Sequence, residues 1–390
     1  MTVIKLAKEY YREAIKLSEY AFQYKVPEES IEKRLQMIEK HHEVYGILEG
    51  DELAAKLHLL PLEVYLGEMK LKMGGIAGVA TYPEYRRSGY VKEMLTYLLE
   101  TMKKEGYSVS MLHPFSVPFY RKYGWELFSS KLKASLKSED LIMKKQTAGK
   151  IRRYKKETHS TEIEEMYAQF AKQFSGMLVR ETSWWQESVY DELTAAVYYN
   201  EAGEPKGYML YEVKNSKMKI EEFIPLNPEA RNGLWNFICQ HDSMIKELEI
   251  ITYENDPLLF SLNEPRIKAE ITPYFMVRII DAESFLKSYD FLWTDNEDQL
   301  LLNLSDPHAS WNNGTYLIKN QEVSKLSIKE TEALSGKGLS LNINTLSTAL
   351  FGYKLPLDLN QITHIEGSAE DVQKLQKLIP NRQPYFYDFF

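Results

Sequence analysis

Two adjacent arginines and a glycine in the stretch "YRRSGY" are the residues of the early sequence best suited to binding chemistry. Arg86, Arg87 and Gly89 follow an apolar, strand-like run and precede a stretch with helical spacing. A helix N-terminus has unpaired N–H groups and a positive dipole end, and guanidinium groups add to its attraction for anions. The pattern therefore predicts a site for a phosphate, a diphosphate or a carboxylate.

A strand and an amphipathic helix must position this turn. The spacings GxxxxGK[ST] and GxGxxG are both absent, which argues against a Walker loop and a dinucleotide fingerprint. Around the turn, the first segment reads as strand, two helices, several strands, helix, strand, short helix and strand. The helix after the turn should bury one face, made of Val91, Met94, Leu95, Leu98, Leu99 and Met102.

Composition narrows the class of protein. The chain has 390 residues, is 44% hydrophobic and 27% charged, and carries a formal net charge of -8 without a long basic run. Such a balance is typical of a globular protein and does not fit a nucleic-acid binder. We find no apolar run that would serve as a secretory signal or membrane span, so we expect a cytoplasmic protein without membrane contact. Cys239 should pack in a core, and the scattered histidines predict no metal site.

The length predicts two or three compact units. We place them at residues 1–148, 149–279 and 280–390, with a mixed α/β and α+β fold and an α+β third unit. The lysine-rich stretch at residues 137–158 is interpreted as a solvated linker at the first boundary.

The sequences "RRSGYV" and "FYRKYGW", the latter at residues 119–125, together resemble the Gcn5-related N-acetyltransferase (GNAT) family. Val91 stands where that family's loop has a small residue. The resemblance implies that acetyl-CoA binds here, with its pyrophosphate on the turn and its pantetheine arm along the preceding strand. The residues it assigns to the cofactor are Val79, Ala80, Thr81, Arg86, Arg87, Ser88, Gly89, Tyr90 and Val91.

The resemblance also implies catalytic residues. Tyr120 matches the tyrosine that protonates the departing CoA thiolate, although a core aromatic residue is the alternative. The order of the three units resembles the Eis (enhanced intracellular survival) family over essentially the whole chain. That family ends in a sterol-carrier-like domain, assembles as hexamers, and places its terminal carboxylate, here that of Phe390, in the first domain's active site.

The expected function is acetyl-CoA-dependent transfer of an acetyl group to a primary amine. The small-molecule or protein acceptor stays open among a sugar amine such as an aminoglycoside, a polyamine and a protein lysine. The alternative is a carrier of lipids or other apolar ligands, suggested by the sterol-carrier likeness and by the run "LSTALFGYKLPL". Such runs more often form an ordinary core.

Overall fold

The computed structural model describes residues 2–293, 299–334 and 336–390. Within these residues the strands form three sheets of nine, seven and four strands, with helices packed on each. The mixed α/β fold expected from the sequence is confirmed. In the same part of the chain, no helix combines the length and apolar character needed to cross a membrane.

The first unit has the predicted order of helices and strands. Its elements are β1 (Ile4–Lys5), α1 (Tyr11–Phe22), α2 (Glu28–His41), β2 (Glu43–Glu49), β3 (Glu52–Leu66), β4 (Met69–Thr81), α3 (Tyr90–Lys104), β5 (Val109–Leu112), α4 (Val117–Arg121) and β6 (Glu126–Leu127). The predicted apolar face of α3 is buried, except that Val91 is only half-buried. This burial fixes α3 on the sheet and sets the position of its first turn.

The second unit is built on the seven-stranded sheet. Its elements are β7 (Ser130–Lys137), β8 (Lys150–Tyr154), α5 (Thr161–Ala171), β9 (Phe174–Leu178), α6 (Thr182–Trp184), β10 (Thr194–Tyr199), β11 (Pro205–Lys214), β12 (Lys217–Pro225), α7 (Pro228–Cys239), β13 (Glu247–Thr252), α8 (Leu258–Ser261), β14 (Lys268–Pro273) and β15 (Met276–Ile279). The sheet order is β14-β7-β13-β12-β11-β10-β8. Cys239 is buried on α7, as predicted.

Several strands pair across the predicted unit boundaries. β7 lies in the second sheet between β14 and β13, whereas β15 lies in the first sheet between β5 and β6. β9 also joins the first sheet, next to β3. The boundaries at 148 and 279 remain predictions, but the strand pairing makes the first two units exchange segments.

The linker interpretation of residues 137–158 is wrong in part. Lys150–Tyr154 forms β8 and pairs antiparallel with β10, at the edge of the second sheet. Lys150, Arg152 and Arg153 are exposed on this strand, and an edge strand can hold such charged side chains in solvent. The lysine and arginine residues of this stretch therefore belong partly to an edge strand and partly to the loop before and after it.

The third unit is α+β, as predicted. Its elements are α9 (Ala282–Ser288), β16 (Gln299–Ser305), β17 (Gly314–Lys319), β18 (Glu322–Lys325), α10 (Ile328–Ala333), β19 (Leu339–Asn342), α11 (Ile343–Leu350), α12 (Pro356–Gln361), α13 (Ala369–Leu378) and β20 (Gln383–Pro384). Leu346, Leu350 and Phe351, from the apolar run noted above, are buried in a core that also contains residues of the first sheet. These residues of the run therefore form ordinary core.

Candidate active site

The centre of the first sheet opens where β4 and β5 separate. The two strands pair in parallel only from Met73 to Gly75, and β4 continues without β5 to Thr81. On its other side β4 bulges against β3, because Gly78 and Val79 together lie opposite the single residue Leu57. A strand that has lost its neighbour exposes main-chain N–H and C=O groups, so this edge can pair with an extended ligand.

The arginine turn lies at the end of this edge. Arg86 and Arg87 are exposed, and Nε of Arg86 donates a hydrogen bond to the Thr81 carbonyl at 3.3 Å. Gly89 has φ +87°, a conformation that favours glycine, and a Cβ on it would meet no atom within 4 Å. The first hydrogen bond of α3 runs from the Glu93 N–H to the Gly89 carbonyl, so the N–H groups of the preceding turn have no partner within the helix.

The other predicted cofactor residues differ in what their side chains do. The side chain of Ala80 packs into the core between α1 and the sheet, and the Tyr90 hydroxyl donates to Glu49. These two residues could therefore contact a ligand through the main chain. Ser88 is exposed, and the buried hydroxyl of Thr81 has no hydrogen-bond partner within the described residues.

A cavity of about 700 Å³ begins at the separated strands. Val79, Tyr120 and Phe390 all line it, so residues far apart in the sequence meet there. Tyr120 is 3% exposed and contacts the rings of Phe115 and Trp125. Burial raises the pKa of Tyr120, which keeps the phenol protonated and able to donate.

The terminal residue packs on the strand edge itself. The Phe390 ring lies so close to Gly75 that a Cβ there would be 2.8 Å from Cε2 of the ring. Phe390 also contacts Phe275, whereas Phe389 remains 64% exposed. Tyr385, Phe386 and Tyr387 are buried, so the aromatic end of the chain is docked except at Phe389.

Charged residues of the second unit fix the last turn of the chain. Asp388 accepts hydrogen bonds from Nε of Arg180 at 2.9 Å and from the indole N–H of Trp184 at 2.8 Å. Arg180 also pairs with Glu222, and all three charged side chains are almost fully buried. The Tyr274 hydroxyl donates to the Asp388 carbonyl at 2.7 Å. These contacts hold the main chain two residues before the terminal carboxylate.

Sequence reasoning missed a set of polar residues in the same cavity. Lys56 and His58 lie on β3, His42 follows α2 and Ser18 lies on α1, and all four line the cavity. A signal was present, because "AAKLHLL" places a lysine and a histidine on the same face of an otherwise apolar strand. A charged residue in such a run is costly to bury, so its presence there indicates a functional residue.

Family models match three consecutive parts of the chain. Residues 2–128 and 176–279 each match an acetyltransferase (GNAT) domain, and residues 282–387 match a sterol carrier protein domain. The unit order predicted from the sequence is thereby confirmed.

Individual relatives agree with these matches. The N-acetyltransferase Eis of Mycobacterium tuberculosis is 25% identical over 259 residues, which is 62% of this chain and 63% of that protein's length. A probable N-acyltransferase of Enterococcus faecalis, of unknown function, is 28% identical with a TM-score of 0.92, over 100% of this chain and 99% of that one. Eis1 of Mycobacterium abscessus, 15% identical over the whole of both chains, has the same fold with a TM-score of 0.81.

Proposed function

Because this chain belongs to the Eis-like GNAT proteins with a C-terminal sterol-carrier-like domain, we propose that it transfers an acetyl group from acetyl-CoA to a primary amine. One observation carries the proposal. Val79 on the separated strand, the phenol of Tyr120 and the terminal residue Phe390 line one cavity.

The residues present fit acetyl-CoA. The turn from Arg87 to Val91 offers unpaired N–H groups, with the two exposed guanidinium groups beside it, for a diphosphate. The edge from Val79 to Thr81 lacks a neighbouring strand on the side of β5 and could pair with the pantetheine arm. When bound, acetyl-CoA supplies the activated acetyl group as a thioester.

The residues of the chain would divide the chemistry among them. The main-chain N–H groups at the β4 bulge would stabilise the oxyanion that forms when an amine attacks a carbonyl carbon. The protonated Tyr120 would donate its proton to the thiolate that leaves. The Phe390 carboxylate would hold the acceptor ammonium, since a terminal carboxyl with an ordinary pKa of roughly 3.3–3.7 is a weak base.

A panel of primary amines tests the proposal. Kanamycin, spermidine, benzylamine and a lysine-containing peptide represent the acceptor classes left open, and release of free thiol from acetyl-CoA reports transfer. We expect thiol release and an acetylated product with at least one amine. Release no faster than without the protein, for every amine, would contradict the proposal. Light scattering on the same preparation tests the hexamer implied by the Eis resemblance.

A further inference from the structure

A lysine amine is buried in the wall of the 700 Å³ cavity without a carboxylate partner among the described residues. Lys56 has no exposed surface, and no ion pair involves it within the described residues. A Cβ on Gly78 would lie 2.8 Å from Nζ of Lys56, which puts the amine against the bulge of β4. An ionised buried amine is normally paired, so its solitary position calls for a functional explanation.

Neighbouring polar groups hold this amine in one orientation. Nζ of Lys56 donates to the hydroxyl of Ser18 at 2.6 Å and lies 3.0 Å from Nε2 of His58. Nδ1 of His58 lies 3.0 Å from Nδ1 of His42. If Lys56 donates to Nε2, His58 carries its proton on Nδ1 and donates it to His42. Nζ has three positions besides its bond to Cε, so these two contacts leave one position, which holds the lone pair of the neutral amine, for proton uptake.

We propose that Lys56 is the base that takes the proton from the acceptor ammonium, and that Ser18, His58 and His42 hold its amine in place. This inference rests on the function proposed above. The N–H bond of the ammonium breaks, an N–H bond forms at Nζ of Lys56, and the neutral acceptor amine is left as nucleophile. Lys56 then returns the proton to water before the next turnover.

The electrostatic surroundings favour a neutral Lys56 at rest. Burial, with a smaller contribution from the positive charge of Arg34, lowers the pKa of Lys56 to about 7. Burial, with Arg34, His41 and Lys56, lowers the pKa of His42 to about 3, so this ring stays neutral and can accept. A base with a pKa near the working pH transfers protons efficiently. The charged or titratable residues that line the cavity with Lys56 are Tyr24, Arg34, His41, His42, His58, His113, Tyr120, Glu187 and the C-terminal residue Phe390.

A metal site is a weaker interpretation of the same residues. Among the described residues, no three His, Cys, Asp or Glu side chains form a group suited to a metal ion. The 3.0 Å contact between two imidazole nitrogens fits a hydrogen bond, which needs one donor and one acceptor.

Competitive labelling tests the amine without any acetyl transfer. Traces of acetic anhydride label only neutral amines, and mass spectrometry measures label on Lys56 against free Nα-acetyllysine in the same tube. An ordinary lysine has a pKa of about 10.4, so labelling of Lys56 should reach half-maximum about three pH units lower than the reference. Half-maximum at the pH of the reference, or no label on Lys56 at any pH, would overturn the proposal.

The pH dependence of turnover separates a base from a packing residue. With an amine selected by the panel, kcat/KM of the wild type should fall below about pH 7, as Lys56 becomes protonated. Lys56→Met removes the amine and keeps most of the length of the side chain. In this variant kcat should drop about 10²- to 10³-fold at pH 7. This defect should shrink as pH rises towards the pKa of the amine, because the neutral amine then forms in solution. A defect of constant size at every pH would instead mean that Lys56 only supports the fold.

Two further variants complete the test. Lys70→Met removes an exposed lysine from β4 and should behave as wild type. Ser18→Ala should cost less than 10-fold in kcat, because it removes one contact of the amine, whereas a loss as large as that of Lys56→Met would make Ser18 the reacting group and overturn the proposal. If the wild type acetylates no amine, the function proposed above fails, and the labelling result still decides whether Lys56 is a neutral base.

Discussion

Each GNAT-like unit contains a pair of parallel strands that separate, and the two openings differ in what occupies them. In the first unit, β4 leaves β5 after Gly75 and a cavity of about 700 Å³ begins there. In the second unit, β12 pairs with β13 only from Lys217 to Ile220 and continues to Pro225. There the main-chain N–H of Phe223 donates to the hydroxyl of Tyr387 at 3.2 Å, so the tail of the chain occupies the opening.

The helices that follow these strands differ in the same way. Gly89 precedes α3 without a side-chain cap, whereas Asn227 caps α7 by accepting a hydrogen bond from the Ala230 N–H at 2.7 Å. Pro228, with no N–H of its own, begins α7. The order strand, turn and helix therefore leaves N–H groups available to an anion only where no side chain caps the helix. In the second unit, the capped start of α7 contributes to the stability of the fold instead.

One segment connects the two openings. Tyr385, Tyr387 and Asp388 are buried in the second unit, and Phe390, two residues later, lines the cavity of the first. The filled opening thus acts as the support that positions the end of the chain in the open one. The predictions below test this division of roles, from the largest expected effect to the smallest.

Removing one hydroxyl from each unit should affect turnover very differently. Tyr120→Phe keeps the ring packing and should lower kcat by about 10²- to 10⁴-fold, because the phenol is the proposed acid. Tyr253→Phe, which removes the hydroxyl that follows β13 in the second unit, should leave kcat within a few-fold of wild type. Acetyl-CoA affinity, measured by calorimetry, should be unchanged in both. Equal turnover of the two variants would return Tyr120 to a packing role.

Lengthening the tail should separate docking from catalysis. One glycine added after Phe390 moves the carboxylate by about 3.5 Å, the reach of one residue. A displacement of this size should lower acetyl transfer by at least about 10²-fold, while acetyl-CoA binding and the unfolding midpoint stay unchanged. The same glycine added before Met1 is the control. If both forms turn over one amine at the same rate, the terminal carboxylate has no part in the reaction.

The buried charges around the tail should contribute strongly to stability. Arg180→Met leaves the carboxylates of Glu222 and Asp388 buried without their partner, which should destabilise the fold by about 3–5 kcal/mol. Arg266→Met breaks an exposed pair with Glu264 and should leave the unfolding midpoint nearly unchanged, because solvent screens such pairs. Urea unfolding measures both. Similar midpoints for the two variants would show that the second opening does not depend on this pairing.

The arginine turn should matter for the cofactor and not for the fold. Arg86→Ala combined with Arg87→Ala removes two exposed guanidinium groups, and losing two charge-assisted contacts should weaken acetyl-CoA binding by about 3 kcal/mol in total. The double variant Arg152→Ala, Arg153→Ala, on the edge strand β8 of the second unit, is the matched control and should bind normally. Unchanged affinity by calorimetry in the Arg86 and Arg87 variant would remove the diphosphate from this turn.

Local patterns predicted the parts of the molecule that depend on neighbours in sequence. The apolar spacing of α3, the position of "RRSG" before it and the burial of Cys239 all follow from short-range preferences. The sequence could not indicate that β15 returns to the first sheet, because that pairing joins residues more than 150 positions apart. Long-range pairing depends on the summed packing of the whole fold, which no local window contains.

The same limit applies to the candidate site. Tyr120 and Phe390 were found through the family resemblance, since nothing local indicates that they share a cavity. Lys56 and His58 were visible in a strand of the sequence, but their partners Ser18 and His42 come from two other elements. A polar residue within an apolar strand can be recognised from the sequence. Its role depends on hydrogen-bond partners that only the fold brings next to it.

The smallest effect should come from removing the cap of α7, which should lower the stability of the fold without changing acetyl-CoA binding. Asn227→Ala removes the side-chain acceptor at the start of α7 and should destabilise the fold by about 1 kcal/mol, while Asn227→Asp keeps an acceptor there and should cost little. Both variants should bind acetyl-CoA as wild type does, because the freed N–H groups lie in the second unit, without a counterpart of Arg86 and Arg87 before them. Urea unfolding and calorimetry on the same samples check the two claims. A change in acetyl-CoA affinity in Asn227→Ala would mean that the second helix also takes part in binding. The contrast between a free and a capped N-terminus would then no longer support the proposal that acetyl-CoA binds at the first opening alone.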